Sequence, residues 1–297
     1  MIKEKEDGRN WQEYNEELVL RGEFYFNPAF LETWSEEIRQ MNAGKVGEPY
    51  LYPASMIEFL GTLHAKNFDF RALEGFMRTL SKMNGNFPVI DYSTICRRVN
   101  KLDIDFEIDE ENLIVAIDGS GEKSSKRGGW MREKWKVKKG WIKVVIMGTK
   151  NKKGKKVVVD IRVGNEDLDE RAASRGMLRD SSKKIDKAIM DGLHDCRDTF
   201  NLCEKEKIET AIKIRKGASR RARGSPRRRK EVMKYQELGH KKWVKEVGYG
   251  ARWPLSEGIF SAVTRIFGDS VSSTKKRNMY HEAKLKYWAY NRLQNIK

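Results

Sequence analysis

The chain has 297 residues, 39% hydrophobic and 35% charged, with 60 Lys/Arg against 43 Asp/Glu and a mean hydropathy of −0.73. No apolar run approaches the ~20 residues that a bilayer crossing needs, and the polar first ten residues hold no secretory apolar core. Three cysteines without CxxC spacing exclude a disulfide scaffold and a structural zinc finger, so the expectation is a reduced, cytoplasmic chain of about two domains.

The charge is unevenly spread. Residues 1–110 carry 13 Lys/Arg and 20 Asp/Glu, a net of −7, whereas residues 111–297 carry 47 and 23, a net of +24. A field of that sign gathers polyanions and releases their counterions, which makes nucleic acid the expected partner.

In chain order, residues 1–108 read as a helical domain. Met56, Ile57, Leu60 and Leu63 fall at helical spacing, as do Phe70, Leu73, Phe76, Met77 and Leu80. NGNFPVI breaks the pattern, and DYSTICRRVNKL follows with an Asp91 or Ser93 N-cap and paired Arg97 and Arg98. Helix, turn and helix with two arginines resembles a helix-turn-helix contacting DNA through Arg97 and Arg98; a plain helical hairpin fits the same residues. LDIDFEIDEEN (102–112) reads as an acidic linker.

Residues 109–297 read as an α/β domain. Strands are expected at 113–118, 141–149, 155–163, 184–191 and 209–214, with helices at 167–180, 196–208, 254–268 and about 279–294. The stretch at about 215–247 shows no clear period and reads as a basic insertion, and the cation block at 213–230 is expected to be mobile when free and ordered on DNA.

Asp118 and Asp191 each end a strand and precede glycine, the place where open α/β sheets put their ligands. With Glu257 on the long helix they form a carboxylate set suited to hard divalent cations, Mg²⁺ or Mn²⁺, two of which can carry in-line phosphoryl displacement. Glu257, in the first turn of an amphipathic helix, is preferred as third ligand over Glu246, which precedes the loop-like GYGARWP. Residues 123–143 interleave nine Lys/Arg with tryptophans, so Trp130, Arg132, Lys134 and Trp135 are expected on DNA, cations on phosphates and rings on exposed bases. Residues 213–230 hold ten Lys/Arg and no acid, and Arg220, Arg221, Arg227, Arg228 and Arg229 are expected on the phosphate backbone. His194 reads as a surface histidine. No GxxxxGK[ST] loop is present, so no nucleotide cofactor is expected.

These runs together resemble a known family. FPVIDYSTICRRV (87–99), IVAIDGSG (114–121), GGWMREKWKVKKGWIKVVI (128–146), AIMDGLHD (188–195) and GYGARWPLSEGIFSAVTRIFGDSV (248–271), in this order, resemble the DDE transposases of bacterial and archaeal insertion sequences that carry a Tyr-Arg-Glu-Lys signature. The resemblance implies an RNase H-like catalytic core, shared with retroviral integrases, behind an N-terminal helical domain. It implies metal-dependent strand cleavage at terminal inverted repeats, strand transfer into target double-stranded DNA, a homodimer on DNA and association with the nucleoid. Asp118, Asp191 and Glu257 take the catalytic and metal-binding positions, and Tyr249 and Arg252 the first two signature positions on DNA. Glu257 lies five residues after Arg252 where the signature has four, and Thr264 stands at the lysine position with Arg265 beside it. Offsets of seven and eight share a helix face, so Arg265 can project beside Glu257. Two alternatives share the acids or the charge: an RNase H-like nuclease and an inactive DNA-binding remnant.

Overall fold

The computed structural model describes residues 10–85, 87–106, 108–124 and 141–296, and the chain divides into two compact units between residues 102 and 103. The first unit is helical: α1 (Trp11–Phe26), α2 (Phe30–Asn42), α3 (Ala54–Ala65), α4 (Phe70–Met83) and α5 (Tyr92–Val99). Asp69 and Asp91 cap α4 and α5 by accepting from the backbone N–H groups two and three residues on, which gives those helices fixed starts. Helix α3 is the apolar centre, burying Met56, Ile57, Leu60 and Leu63.

The second unit is built on one mixed sheet: β1 (Leu113–Ser124), β2 (Trp141–Lys150), β3 (Lys156–Asn165), β4 (Ile185–Met190), β5 (Glu209–Ile212) and β6 (Ser270–Val271). Strands β1–β3 are an antiparallel meander, and β4 and β5 then add in parallel on the other side of β1, for an order β3-β2-β1-β4-β5; β6 pairs with the far end of β1. Its helices are α6 (Glu170–Asp180), α7 (Arg197–Lys205), α8 (Pro226–Glu246), α9 (Arg252–Leu255), α10 (Glu257–Phe267) and α11 (Lys276–Gln294). This is the mixed α/β arrangement expected of the sequence, a mixed sheet with helices packed on it.

Strand alternation sorts the side chains onto two faces. Val115, Ile117, Val145, Met147, Ala188, Met190 and Ile212 face α6 and α7, burying Met177, Leu178, Phe200 and Cys203. Ala116, Ile189 and Ala211 face the other way, against Trp243, Val247 and Leu255. Asp118 and Asp191 follow Ala116 and Ile189 by two residues and so continue this second face.

Three expectations are corrected. Residues 226–246 form helix α8, which Pro226 opens and which is kinked at Gly239 (φ 69°, ψ 160°). The kink carries the chain around: Val232 packs on the first face and Trp243 on the second. The expected helix at 254–268 is broken at Ser256 (φ −122°, ψ −76°) into α9 and α10. The acidic stretch at 102–112 is no free linker, since Phe106 is buried and Ile108 packs against the first-face core.

Helix α11 closes the unit. Lys286, 1% exposed, donates to Glu122 (3.0 Å) and to the carbonyls of Gly268 (3.2 Å) and Ser270 (2.8 Å), tying the helix to β1 and to the chain entering β6. At the other border the Asn291 amide accepts from Val158 N–H (2.9 Å) and donates to Val158 C=O (2.6 Å) on β3. No helix among the described residues is long and apolar enough to cross a membrane.

Candidate active site

The second sheet face positions the acids. Ile117 of β1 pairs with Met190 of the parallel β4, so the next residues, Asp118 and Asp191, are neighbours across the sheet. Asp191 follows the carboxyl end of β4, whereas Asp118, expected to end its strand, lies within β1, which runs on to Ser124 to pair with β2 and β6. Ala116 and its partner Gly148 leave the sheet low just before that point, and α9 settles onto it. A Cβ on Gly148 would lie 2.1 Å from the Leu255 carbonyl oxygen, so this approach requires glycine. The close seat of α9 brings Arg252 and Ser256 down onto Asp118.

Asp118 is held from three sides. Its Oδ2 accepts from Arg252 Nη1 (2.5 Å) and Ser256 Oγ (3.1 Å), and its Oδ1 from the Gly119 N–H (3.0 Å). Burial pushes its carboxyl above the usual range, and the neighbouring Asp191 adds to the rise; Arg252, Ser256 and Gly119 pull the other way without cancelling it. Arg252 Nη2 also reaches Glu257 Oε1 (3.2 Å), so one guanidinium bridges Asp118 and Glu257. Burial opposes the charge of Arg252, but Asp118, Tyr249 and Glu257 together hold its pKa up. Tyr249 packs against buried Trp243 at a 46° tilt (5.1 Å between centroids), and burial raises its hydroxyl pKa.

Asp191 is anchored by its own turn, Oδ1 accepting from Leu193 N–H (2.8 Å). Arg215 fixes the loop beyond it, donating to the carbonyls of Gly192 (2.6 Å) and Leu193 (2.7 Å). His194 is no surface residue: it is fully buried, with Nε2 at 3.9 Å from Asp191 Oδ1 and 3.8 Å from Glu170 Oε1. Those distances exceed hydrogen bonds, and neither ring nitrogen has a hydrogen-bond partner among the described residues. The His194 ring and the Lys143 ammonium (3.1 Å) hold the Glu170 carboxyl below its ordinary value.

Asp118 and Asp191 thus lie next to each other across the sheet, and Glu257 is linked to Asp118 through Arg252. Glu257 opens α10 with its side chain half exposed, while Glu246, at the end of α8, is engaged with Lys234 (2.9 Å). Among the described residues no group of three His, Cys, Asp or Glu side chains is gathered closely enough to hold a metal ion, and the Arg252 guanidinium stands between two of the acids. The donor chemistry nonetheless fits a hard divalent cation: all three groups are carboxylates, and a positive group already bridges two of them.

The expected DNA contacts divide. Trp130, Arg132, Lys134 and Trp135 lie outside the described residues. Arg265 and Thr264 are exposed on α10. Arg220 and Arg229 are exposed at the surface, where Arg220 donates to Gln236 and Arg229 to the Arg220 carbonyl; Arg221 is exposed too. Arg228 instead turns inward onto Asp195 (2.7 and 3.1 Å), and Arg227 onto the Ile208 carbonyl (2.7 Å), which removes both from a free phosphate-binding face. In the helical unit Arg98 donates to the Tyr52 carbonyl (2.8 Å) and Arg97 to Thr94 (2.7 Å), so Arg98 braces its own fold and Arg97 stays exposed. Ser256, Gly148 and Glu170 escaped the sequence reading, because the groups they meet come from distant parts of the chain.

Residues 19–127 match the family model of the transposase DDE domain. The match spans α2–α5 and β1 with Asp118, and it ends before Asp191 and Glu257. The DDE transposase resemblance read from motifs across the chain is thus supported over about a third of it. A loose structural likeness is to the Drosophila P element transposase strand transfer complex, at 13% identity and a TM-score of 0.30, covering 68% of this chain. This chain spans 47% of the length of that one.

Proposed function

We propose that the protein is a DNA transposase of the DDE type that cleaves DNA strands at element ends and joins them to target DNA. The observation that carries the reading is that Asp118 on β1 and Asp191 just past β4 are neighbours across the sheet, with Arg252 of α9 bridging Asp118 to Glu257 of α10. The transposase domain match over the segment containing Asp118 supports it.

Asp118, Asp191 and Glu257 are the residues that would hold Mg²⁺ or Mn²⁺. Bound there, such ions supply charge neutralisation at the phosphorus and a more acidic nucleophile. In cleavage, a water oxygen bonds to phosphorus and the 3′-oxygen leaves. In joining, the freed 3′-hydroxyl attacks a target phosphodiester and displaces another 3′-oxygen. Arg252 is placed to hold a non-bridging phosphate oxygen once it lets go of the acids, and Tyr249 steadies it from the Trp243 side. Two ends must be brought together, so the working form is a dimer on DNA.

The test is end cleavage of a donor duplex in Mg²⁺ or Mn²⁺. Asp118→Asn, Asp191→Asn and Glu257→Gln are expected to abolish cleavage while DNA binding persists. Glu246→Gln is expected to cleave normally. Wild-type cleavage by either aspartate variant would remove that residue from the site; loss in Glu246→Gln with retention in Glu257→Gln would reassign the third acid. Cleavage of RNA–DNA hybrids without dependence on terminal repeats would favour an RNase H-like nuclease.

A further inference from the structure

Beyond the acid site, the loop leaving Asp191 opens into a cavity of about 480 Å³ lined by Asp195, Cys196, Arg197, Ser219, Arg223 and Arg228. Asp195 is fully buried, and its charge is consumed on the spot. Arg228 grips both its oxygens, and Oδ2 also accepts from the Arg215 N–H (3.0 Å). The remaining charges in the lining are the exposed guanidiniums of Arg197 and Arg223, which leaves two positive charges in excess.

The walls are built. Arg197 at the start of α7 donates to the Arg223 carbonyl (2.8 Å), and Asn201 one turn on donates to the Gly224 carbonyl (3.0 Å). Arg223 (φ 46°) and Gly224 (φ 83°) are consecutive left-handed residues, an arrangement uncommon for a side chain as large as arginine. The turn is thereby fixed to α7, and the Arg223 guanidinium has no partner among the described residues. A pinned cavity with the uncompensated positive charges of Arg197 and Arg223 and a serine hydroxyl is suited to a phosphodiester, whose oxygens arginine binds through paired N–H groups. Its volume exceeds that of a bare phosphate and admits the adjoining sugar.

We propose that this cavity is a DNA-phosphate pocket, in which Arg197 and Arg223 hold the backbone of the strand that runs past Asp191. The proposal rests on the transposase reading and gives it a second, non-catalytic anchor on the strand. The loop from Asp191 to Asp195 joins the two places, so a strand held here is held in register with the acids.

The test uses the full chain and a fluorescent duplex, with anisotropy followed from low to moderate salt. The double variant Arg197→Gln/Arg223→Gln is expected to flatten the plot of log K against log salt by about one unit for each phosphate it no longer binds. Ser219→Glu, an exposed position, is expected to weaken binding severalfold with unchanged thermal stability. Wild-type slopes and affinities in both would overturn the pocket. Inorganic phosphate is the second probe: saturable phosphate binding that disappears in the double variant, with DNA binding untouched, would make this a free-anion site and also overturn the proposal. A flattened slope in a chain that never cleaves DNA would sink the transposase reading and leave the pocket standing; normal cleavage with an unaltered slope would do the reverse.

Discussion

Asp118 carries its charge at a cost in the folded chain. Burial raises its carboxyl pKa more than Arg252 and Ser256 lower it. A carboxyl raised on folding gives stability that is full below its unfolded pKa, near 4, and lost as pH climbs through the folded value. Asp118→Asn, which keeps the shape without the charge, is therefore expected to melt higher than wild type at pH 7. The advantage should shrink to nothing below about pH 4, where both side chains are neutral. Thermal melts from pH 4 to 8 check it; a variant that is less stable at pH 7 contradicts the account. Asp118 and Asp191 were legible in the sequence because an acid closing an apolar run and preceding glycine is a local pattern. Gly148 and Ser256 were not. Gly148 matters for what α9 brings to it from over a hundred residues away, and Ser256 matters because its hydroxyl lands on Asp118. His194 was misread for the same reason: it lies against Glu170, on a helix earlier in the chain.

The elements that sequence reading found are those with a clean period. The strands stood out as β-branched runs between turn residues, and α4 through its apolar stripe. Helix α8 was hidden because its first turns are a basic run and its few buried anchors serve two faces: Val232 before the Gly239 kink, Trp243 after it. Neither half alone shows a helical stripe, so charge masked the period. Helix α11 carries its own buried charge, and here a stability effect is expected. Lys286→Met strands the Glu122 carboxylate, already pushed up by burial, in the interior, at about 3–5 kcal/mol as for other broken buried pairs. Lys286→Met/Glu122→Leu removes both charges and should recover most of that loss, because an ion pair replaced by apolar groups of similar size is often neutral. Urea midpoints measure both; a single-variant loss under about 1 kcal/mol would show that water reaches the pair.

At the scale of the molecule the excess cations lie in the sheet unit, with 46 Lys/Arg against 28 Asp/Glu, whereas the helical unit is close to neutral, with 14 against 15, because the acids of residues 103–110 belong to the sheet unit. Not all those cations are free to meet DNA. Arg227 and Arg228 are spent on Ile208 and Asp195, whereas Arg220, Arg221 and Arg229 remain at the surface. Arg220→Gln/Arg221→Gln/Arg229→Gln is accordingly expected to flatten the salt dependence of DNA binding by up to about three units while the melting temperature holds. Arg227→Gln/Arg228→Gln is expected to do the opposite, lowering the melting temperature with a smaller change in slope. Equal behaviour of the two sets would mean that the inward contacts are not maintained in solution.

The Asn291 amide on β3 has a consequence for the protein in a crowded cell. A border strand offers unpaired N–H and C=O groups to any other extended chain, and such borders seed edge-to-edge aggregation. By giving Val158 both a donor and an acceptor, one side chain does for the outer strand what a seventh strand would do, and it does so from a helix that cannot propagate the pairing. At the opposite border, the kinked α8 passes from one face of the sheet to the other beside the four-residue β5. With Val158 occupied at one border and only the four residues of β5 at the other, the sheet offers less edge to stray strands, which counts for a chain with 47 cations in its last two-thirds that crowds onto DNA beside its own copies.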